Sequence, residues 1–500
     1  MIVVRQPPDA PHLHSTNASA TEDVTPVYHT RMDHFGKQVQ ELHERHLRVE
    51  SLLALSEKLQ AEFKERLQSG SQCMLPSHNY TLPNGKEHGT CLALEVGGST
   101  LRVALIDLNG RASTQPLRIR RIVASTIDNR VRDLRGLAFF DWIAAKIREM
   151  LLGDREARLR TQSSEPLPMG IAWAFPIDQT SIRSGNIISM GKGFHCSAFK
   201  GSDLGDLITE ACQRLNLNIR LDAIVNDSSA VVLSRAYVDP STRLAVILGT
   251  GLNAAVHLPV RCLDESKFGA RRFPSTAKIN HVLVNTELSM FGKDALPTTP
   301  WDEDLNARHI LPDYQPLEYL LAGKYMGEIV RLVLVEATET CGLFNGKLPP
   351  DLSVPFSLET RILAAIEADF FPHLTLARFL REEWTLPGQP TPAEIRFIRQ
   401  VVLAVSRRSQ AYFTAAIHAL SYLLHDMDDS LLRNGLDHIS IGCDGSVINK
   451  YPGYMEKCQL LLDEMVRIDG TGQKRVVLES AGESAVLGAG VAVAMANAGA

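Results

Sequence analysis

The stretch from Ala223 to Ala255 reads AIVNDSSAVVLSRAYVDPSTRLAVILGTGLNAA. It places Asp227 directly after an apolar run that predicts a buried strand. A second apolar run, Leu244 to Leu248, leads into a glycine turn at Gly249-Thr250-Gly251. A carboxylate at a strand end and a turn bare enough to approach phosphate are parts that a phosphoryl-transfer site needs. Taken alone, this pattern favours Asp227 as the cap of a following helix, a task that Ser228 and Ser229 would share.

The length and charge of the chain limit its organisation and its partners. Five hundred residues exceed what one hydrophobic core usually organises, so we expect two or more lobes. The formal net charge of -5 supplies no basic footprint for nucleic acid or for an anionic membrane surface. We therefore expect no nucleic-acid partner and no membrane partner.

The cysteines and the apolar runs indicate a compartment. The 8 cysteines are scattered and lack the close CxxC spacing of zinc or redox sites, which favours reduced thiols. The N-terminal apolar run is too short for a signal peptide, and no segment supplies the roughly 20 apolar residues of a membrane span. These features together predict a cytoplasmic protein.

Beyond the opening stretch, the chain alternates strand and helix signals, which favours an α/β architecture. Residues 1–30 lack periodicity and predict a disordered tail, and residues 31–89 carry one long amphipathic helix or two, packed on a lobe. Residues 316–340 predict a helix interrupted by Gly323 and Gly327. Residues 401–424 predict a further apolar helix.

Two segments about 150 residues apart repeat one pattern. EVGGSTLRVALID and VILGTGLNAAVHL both run from an apolar stretch through a small-residue turn into a second apolar stretch. The repeat is explained either by the general use of glycine in hairpins or by two matched turns that face one nucleotide from two lobes.

Seven motifs occur in one order between about residue 88 and residue 495. They are EVGGSTLRVAL, FPIDQ with GKGF, VNDSSAVV, LGTGLNAA, NTELSMFG, PLEYLLAGKYMGEIVRL and IGCDGSVINKYPGY. In this order the chain resembles the hexokinase family of actin-like sugar kinases. The resemblance implies two α/β lobes, each built on a mixed five-stranded sheet with flanking helices, with nucleotide and sugar in the cleft between the lobes. It places the small lobe at 90–226 with a C-terminal helix at 477–500, and the large lobe at 227–476.

The resemblance also implies roles for individual residues. Asp227 would accept the proton of the sugar hydroxyl, and Lys192 would be a cation near the transferred group. The residues implied to bind the sugar are Asn226, Asn253, Glu287, Glu318, Gly191 and Asp178. The residues implied to bind ATP are Gly97, Gly98, Ser99, Thr100, Arg102, Gly249, Thr250, Gly251, Asp444, Gly445 and Ser446. Mg²⁺ would be held through the phosphates and water, with Glu95 as a further contact.

Several positions depart from the usual pattern of glucose hexokinases. Glu95 replaces Asp, Asp178 replaces Ser, and Met190-Gly191 replace Trp-Thr before Lys192. A Met and a Gly at these positions predict a larger or softer sugar pocket, and the motif details are similar to those of fungal N-acetylglucosamine kinases. We therefore expect ATP-dependent phosphorylation of the 6-hydroxyl of a hexose-type sugar, with N-acetylglucosamine preferred.

Three alternatives stay open from the sequence. The first is a glucose hexokinase. The second is a hexokinase-like regulator that binds sugar or a protein partner and turns over little. The third is an actin-like ATPase that acts on a protein.

Overall fold

The computed structural model describes residues 25–154, 164–190, 194, 199–269, 279–368, 374–386, 388–428, 437–470 and 475–498. The sequence-predicted site residues Gly191 and Lys192 lie outside this set. The first helix begins at Thr25, so it starts inside the segment for which the sequence predicted a tail. No helix in the described ranges is both long and apolar enough to cross a membrane.

The described chain alternates strands with helices through most of its length. The strands are β1 Leu75–Pro76, β2 His88–Val96, β3 Thr100–Asn109, β4 Leu117–Thr126, β5 Leu167–Trp173, β6 Ile177–Ser181, β7 Ser184–Ile187, β8 Ile219–Asn226, β9 Thr242–Leu248, β10 Leu252–Pro259, β11 His281–Asn285, β12 His438–Asp444 and β13 Arg475–Ser480. The helices are α1 Thr25–Glu44, α2 Val49–Gln68, α3 Asn129–Arg132, α4 Ala138–Leu152, α5 Leu204–Arg214, α6 Asp227–Val238, α7 Pro300–Arg308, α8 Pro316–Leu321, α9 Gly323–Cys341, α10 Pro350–Ser353, α11 Thr360–Ala368, α12 Leu374–Glu383, α13 Pro392–Met427, α14 Ser446–Lys450, α15 Tyr454–Asp469 and α16 Ser484–Ala498.

One sheet has five strands in the order β4-β3-β2-β5-β8. β2, β3 and β4 are antiparallel neighbours, whereas β5 and β8 continue parallel to β2. The middle of β2 is a continuous buried run, Cys91 to Leu94, as expected of a strand covered on both faces. The turn at 97–99 joins β2 to β3, so the predicted hairpin is present.

The other large sheet has six strands in the order β1-β11-β10-β9-β12-β13. The two residues of β1 pair with β11 at its edge, which adds one strand to the five that the sequence predicted. Without β1, the order and directions match those of the five-stranded sheet, with an antiparallel β9–β10 hairpin and parallel β12 and β13. The two repeated sequence segments therefore form equivalent hairpins of the two sheets.

The helices that follow the last strand of each sheet are exchanged between the sheets. α6 follows β8 but contacts β9, β10 and β12, whereas α16 follows β13 but contacts β2, β5 and β8. The two helices also pack on each other. Because β13 pairs with β12 through Ser480, the chain leaves the six-stranded sheet after Ser480, and the predicted boundary at 476–477 falls inside a strand.

The remaining helices pack beside the six-stranded sheet. The N-terminal region forms two helices, α1 and α2, and both lie against the 36-residue α13. α13 begins with a capping box of Thr391 and Glu394, so it starts before the predicted position 401. The predicted break near Gly323 falls between α8 and α9. Gly327 instead continues α9, where a Cβ atom would lie 1.9 Å from the Leu358 carbonyl oxygen.

Candidate active site

The junction of β8 and α6 presents an amide and a carboxylate side by side. Asn226 has extended backbone (φ -66°, ψ 150°), and its Oδ1 accepts from Ser228 N at 3.0 Å and from Ser228 Oγ at 2.5 Å. Asn226 is therefore the N-cap. Asp227 occupies the first helical turn, where its Oδ1 also accepts from Ser228 N at 2.7 Å. Both side chains are half-buried, as expected at the wall of a cleft.

The glycine turn between β9 and β10 lies against Glu318 of α8. Glu318 Oε2 accepts from Leu252 N at 2.8 Å. A Cβ atom on Gly251 would lie 2.7 Å from the same oxygen, so only glycine allows this approach. On its other side the turn is tied to α9, because Gly249 O accepts from Gly323 N at 2.9 Å.

A chain of amide and carboxylate groups continues from this turn to the end of β11. Asn253 Nδ2 donates to Asn285 Oδ1 at 3.0 Å, and Asn285 Nδ2 donates to Glu287 Oε1 at 2.8 Å. Glu287 has left-handed backbone (φ 52°), after which the chain turns into a short helix. Sequence reasoning missed Asn285. Its signal was its place in the NTELSMFG motif, two residues before the selected Glu287.

The first glycine turn, between β2 and β3, is closed by main-chain bonds. Gly97 N donates to Thr100 O at 3.0 Å, Ile127 N donates to Ser99 O at 2.8 Å, and Arg132 Nη2 donates to Gly98 O at 3.1 Å. These bonds use the carbonyl oxygens of residues 98 to 100.

Behind this turn, Arg102 joins acids from two parts of the chain. Arg102 Nη1 donates to both Glu95 oxygens, at 2.8 and 2.9 Å, and Arg102 Nε lies 3.3 Å from Glu483 Oε2. Glu483, just before α16, has left-handed backbone (φ 56°). Sequence reasoning missed Glu483, because nothing in its local pattern points to a residue almost 400 positions away.

Carboxylates at strand ends of both sheets affect the pKa of Glu95. Burial raises the pKa of Glu95 to about 7, and this rise prevails over the opposing effect of the paired Arg102. Asp444 and Asp227 raise the pKa further by repulsion. Burial also raises the pKa of Asp444. Acids from β12 and α6 therefore both act on Glu95 of β2, a repulsion that a bound cation would relieve.

The turn after β12 lies against the glycine turn after β9. Gly445 has φ 110°, and a Cβ atom there would lie 2.3 Å from Leu248 O. A Cβ atom on Gly249 would lie 3.3 Å from Ser446 N. Glycine is needed at Gly445 because the two turns, both expected to bind nucleotide, pack directly on each other.

The predicted sugar loop is described only in part. Asp178 is exposed on the β6–β7 ribbon and pairs in register with Asn186. The ribbon is fixed to β8, because Gln179 Nε2 donates to Ile224 O at 2.7 Å, close to the strand end that carries Asn226. Met190 is buried among the apolar residues of the five-stranded sheet and its helices, with only 6% exposed. The larger or softer pocket expected from Met190 and Gly191 stays a prediction, since Gly191 lies outside the described residues.

Two family models, both described as hexokinase, match residues 243–495 and residues 38–237. Hexokinase-1 of Schizosaccharomyces pombe is 28% identical over 392 residues, which cover 78% of this chain and 76% of the relative. Hexokinase-2 of Candida albicans is 26% identical over 430 residues, covering 85% of this chain and 84% of the relative. Among solved structures, a Schistosoma mansoni hexokinase complexed with glucose has a TM-score of 0.77 at 24% identity, covering 92% of this chain and 99% of that one.

Proposed function

The chain belongs to the hexokinase family, and we propose that it transfers the γ-phosphoryl group of ATP to the 6-hydroxyl of a hexose-type sugar. One observation carries the proposal. Two equivalent glycine turns, the β8 acid and the amide–carboxylate chain all stand at strand ends of the two sheets. The same side chains are half-buried, as groups that read a polar substrate in a cleft should be.

Asp227 is the proposed general base. A sugar hydroxyl is a poor nucleophile, so its proton must pass to an acceptor as the new P–O bond forms. The carboxylate of Asp227 is fixed at the start of α6 by its bond with Ser228 N. Because Asn226 caps the helix, the cap does not account for Asp227.

The amide–carboxylate chain is the proposed sugar reader. Asn253, Asn285 and Glu287 orient one another, and Glu318 is held by the β9–β10 turn. Amide and carboxylate groups fixed in this way discriminate strongly between hydroxyl patterns, because a misfitting sugar leaves buried polar groups unpaired. Asn226 and Asp178 remain proposed sugar contacts, as do Gly191 and Lys192 outside the described residues.

The glycine turns are the proposed phosphate sites. Gly97 to Thr100 would approach from one sheet, and Gly249 to Gly251 from the other, with Asp444 to Ser446 beside the adenosine. Bound Mg²⁺ would neutralise phosphate charge there. Because Arg102 holds both oxygens of Glu95, the ion would be bound mainly by phosphates and water, with Arg102 as a positioning residue.

For the acceptor we propose N-acetylglucosamine, on the motif details around Asp178 and Gly191. Glucose is the second candidate, because the matching relatives are named hexokinases without any reference to an amino sugar.

A sugar panel with coupled ADP detection tests the proposal. We expect sugar-dependent ADP release that is fastest with N-acetylglucosamine and negligible in Asp227→Ala. Rapid turnover of glucose with none of N-acetylglucosamine would reject the acceptor and leave the kinase. Equal, negligible rates in both proteins would favour the regulator, and sugar-independent hydrolysis would favour the ATPase.

A further inference from the structure

A second cavity, here called the rear cavity, lies at the opposite end of the strands from the glycine turns. Its volume is about 340 Å³, in the range of small-molecule sites. It is lined by Leu82, Pro83, Asn84, Arg111, Ala236, Pro240, Arg243, His257, His281 and Asp428. β9 starts beside it and runs 7 residues to the glycine turn, so roughly 20 Å separates the two places.

The walls of the rear cavity come from segments attached to both sheets. Asn84 precedes β2, and Arg111 lies in the β3–β4 connection of the five-stranded sheet. His257 and His281 lie on β10 and β11 of the six-stranded sheet. A ligand held here would therefore contact both halves of the fold without entering the candidate active site.

Positive charge exceeds negative charge in the lining. Arg111 donates to the carbonyl oxygens of Tyr237, Ala236 and Asn84 at 2.9, 2.7 and 3.1 Å, which fixes its position and leaves its charge uncompensated by these partners. Arg243 donates through Nη1 to Pro240 O and Thr242 O, at 2.7 and 2.8 Å. Since these bonds use Nη1 alone, Nε and Nη2 of Arg243 remain as donors for an anion.

The single acid in the lining is already engaged. His281 Nε2 lies 3.1 Å from Asp428 Oδ2. Within the lining, two guanidinium groups stand against this one carboxylate, and Asp239 just outside the lining also acts on Arg243. The rear cavity therefore selects for an anion.

His257 presents a buried ring nitrogen that lacks a hydrogen-bond donor within the described chain. His257 is 7% exposed, and its ring stacks on that of His281 with centroids 5.0 Å apart. A main-chain bond to Tyr80 occupies one ring nitrogen, whereas the buried Nε2 has no partner within the described chain. Nδ1 therefore carries the hydrogen in the neutral ring, and Nε2 is an acceptor that a ligand hydroxyl would satisfy.

We propose that the rear cavity binds a phosphate monoester that carries free hydroxyl groups, such as a sugar phosphate. Its phosphate oxygens accept from Arg243 and lie near Arg111, and one of its hydroxyls donates to His257 Nε2. Binding at the rear cavity does not require catalytic turnover. The ligand can be the product of this enzyme or another phosphorylated polyol.

Calorimetric titration of the full chain with a hexose 6-phosphate, with glycerol phosphate and with inorganic phosphate tests the proposal. We expect Arg243→Met to weaken binding of all three by about 10-fold or more, the usual effect of losing a charge-assisted hydrogen bond. His257→Leu should weaken the two hydroxyl-bearing ligands and leave inorganic phosphate unchanged. A hexose phosphate that binds tighter than glycerol phosphate identifies the product as the better ligand, and the reverse order identifies another polyol.

Two controls keep the cavity distinct from the candidate active site. Arg121→Met removes an arginine that also donates to a main-chain oxygen, that of Gly153, and should bind like wild type. Asn253→Ala alters the candidate active site and should retain binding. Loss of binding in Asn253→Ala with none in Arg243→Met overturns the proposal, as does failure of wild type to bind any probe. If Arg243→Met does not fold, His257→Leu alone decides.

Discussion

Asn226 takes one of the two tasks that the sequence allowed for Asp227. The sequence allowed Asp227 to be either a helix cap or a base. Asn226 Oδ1 takes the cap by accepting from Ser228 N, and Asp227 occupies the first turn. The sequence could not show which of these two adjacent polar residues is the cap, because the backbone angles at the strand end decide which residue precedes the helix.

Asp227→Asn should lower kcat by about 10³-fold or more, with little change in sugar binding. The amide keeps the size of the side chain and its bond with Ser228 N but cannot take the hydroxyl proton. Steady-state kinetics and sugar titration measure the two effects. Asp206→Asn, an exposed acid in the first turn of α5, is the matched control and should leave kcat unchanged. Loss of folding in Asp227→Asn would show a structural role instead.

The raised pKa of Glu95 makes the free energy of unfolding depend on pH. The pKa of Glu95 is raised from the ordinary 4.5 to about 7. The stability that its protonated form contributes is therefore fully present below pH 4.5 and is lost as the pH rises through about 7. Glu95→Gln cannot ionise and lacks this loss. We expect the free energy of unfolding of Glu95→Gln, relative to wild type, to rise by up to about 3 kcal/mol from about pH 5 to about pH 8.

Urea unfolding at the two pH values measures this difference. The raised pKa already includes the opposing effect of Arg102, so the remaining offset, between Gln and the neutral acid, is the same at both pH values and cancels. Glu149→Gln, on the exposed face of α4, gives the background. A relative stability of Glu95→Gln that stays constant or falls as the pH rises would contradict the raised pKa.

Among the elements, the turns and the crossing helices depend on glycine for different reasons. Gly251 and Gly445 admit close approach of Glu318 and of the Leu248 carbonyl. Gly488 admits the crossing of α16 over α6, where a Cβ atom would lie 1.8 Å from Ala230 O. The family resemblance implied a C-terminal helix, but nothing in the sequence indicated that α6 is its partner.

Gly488→Ala should destabilise the protein by about 1–3 kcal/mol, because the added methyl group meets main-chain atoms that cannot move aside. Thermal unfolding measures the loss. Gly490→Ala, on the same helix, is the control. Its Cβ would meet the Cys91 side chain at 3.2 Å, and the gain in helix propensity should make the change small. Equal midpoints for the two variants would contradict the close crossing.

At the scale of the whole molecule, two sheets of matching order exchange their last helices. α6 leaves the five-stranded sheet and packs on the six-stranded one, and α16 makes the reverse exchange. The candidate active site lies at one end of the strands, and the rear cavity lies at the other. Both places draw residues from the two sheets, so a ligand at either place contacts both.

The sequence by itself determined the α/β class, both glycine hairpins, and the positions of Asn226 at the end of β8 and of Asn253 at the start of β10. These features are local, because apolar runs, turn residues and strand ends are read from neighbouring positions. Only the tertiary structure decided that Asn285 links Asn253 to Glu287, that Glu483 pairs with Arg102, and that α16 crosses α6. Each of these depends on contacts between distant segments, which form only when both sheets are in place and which no local pattern encodes.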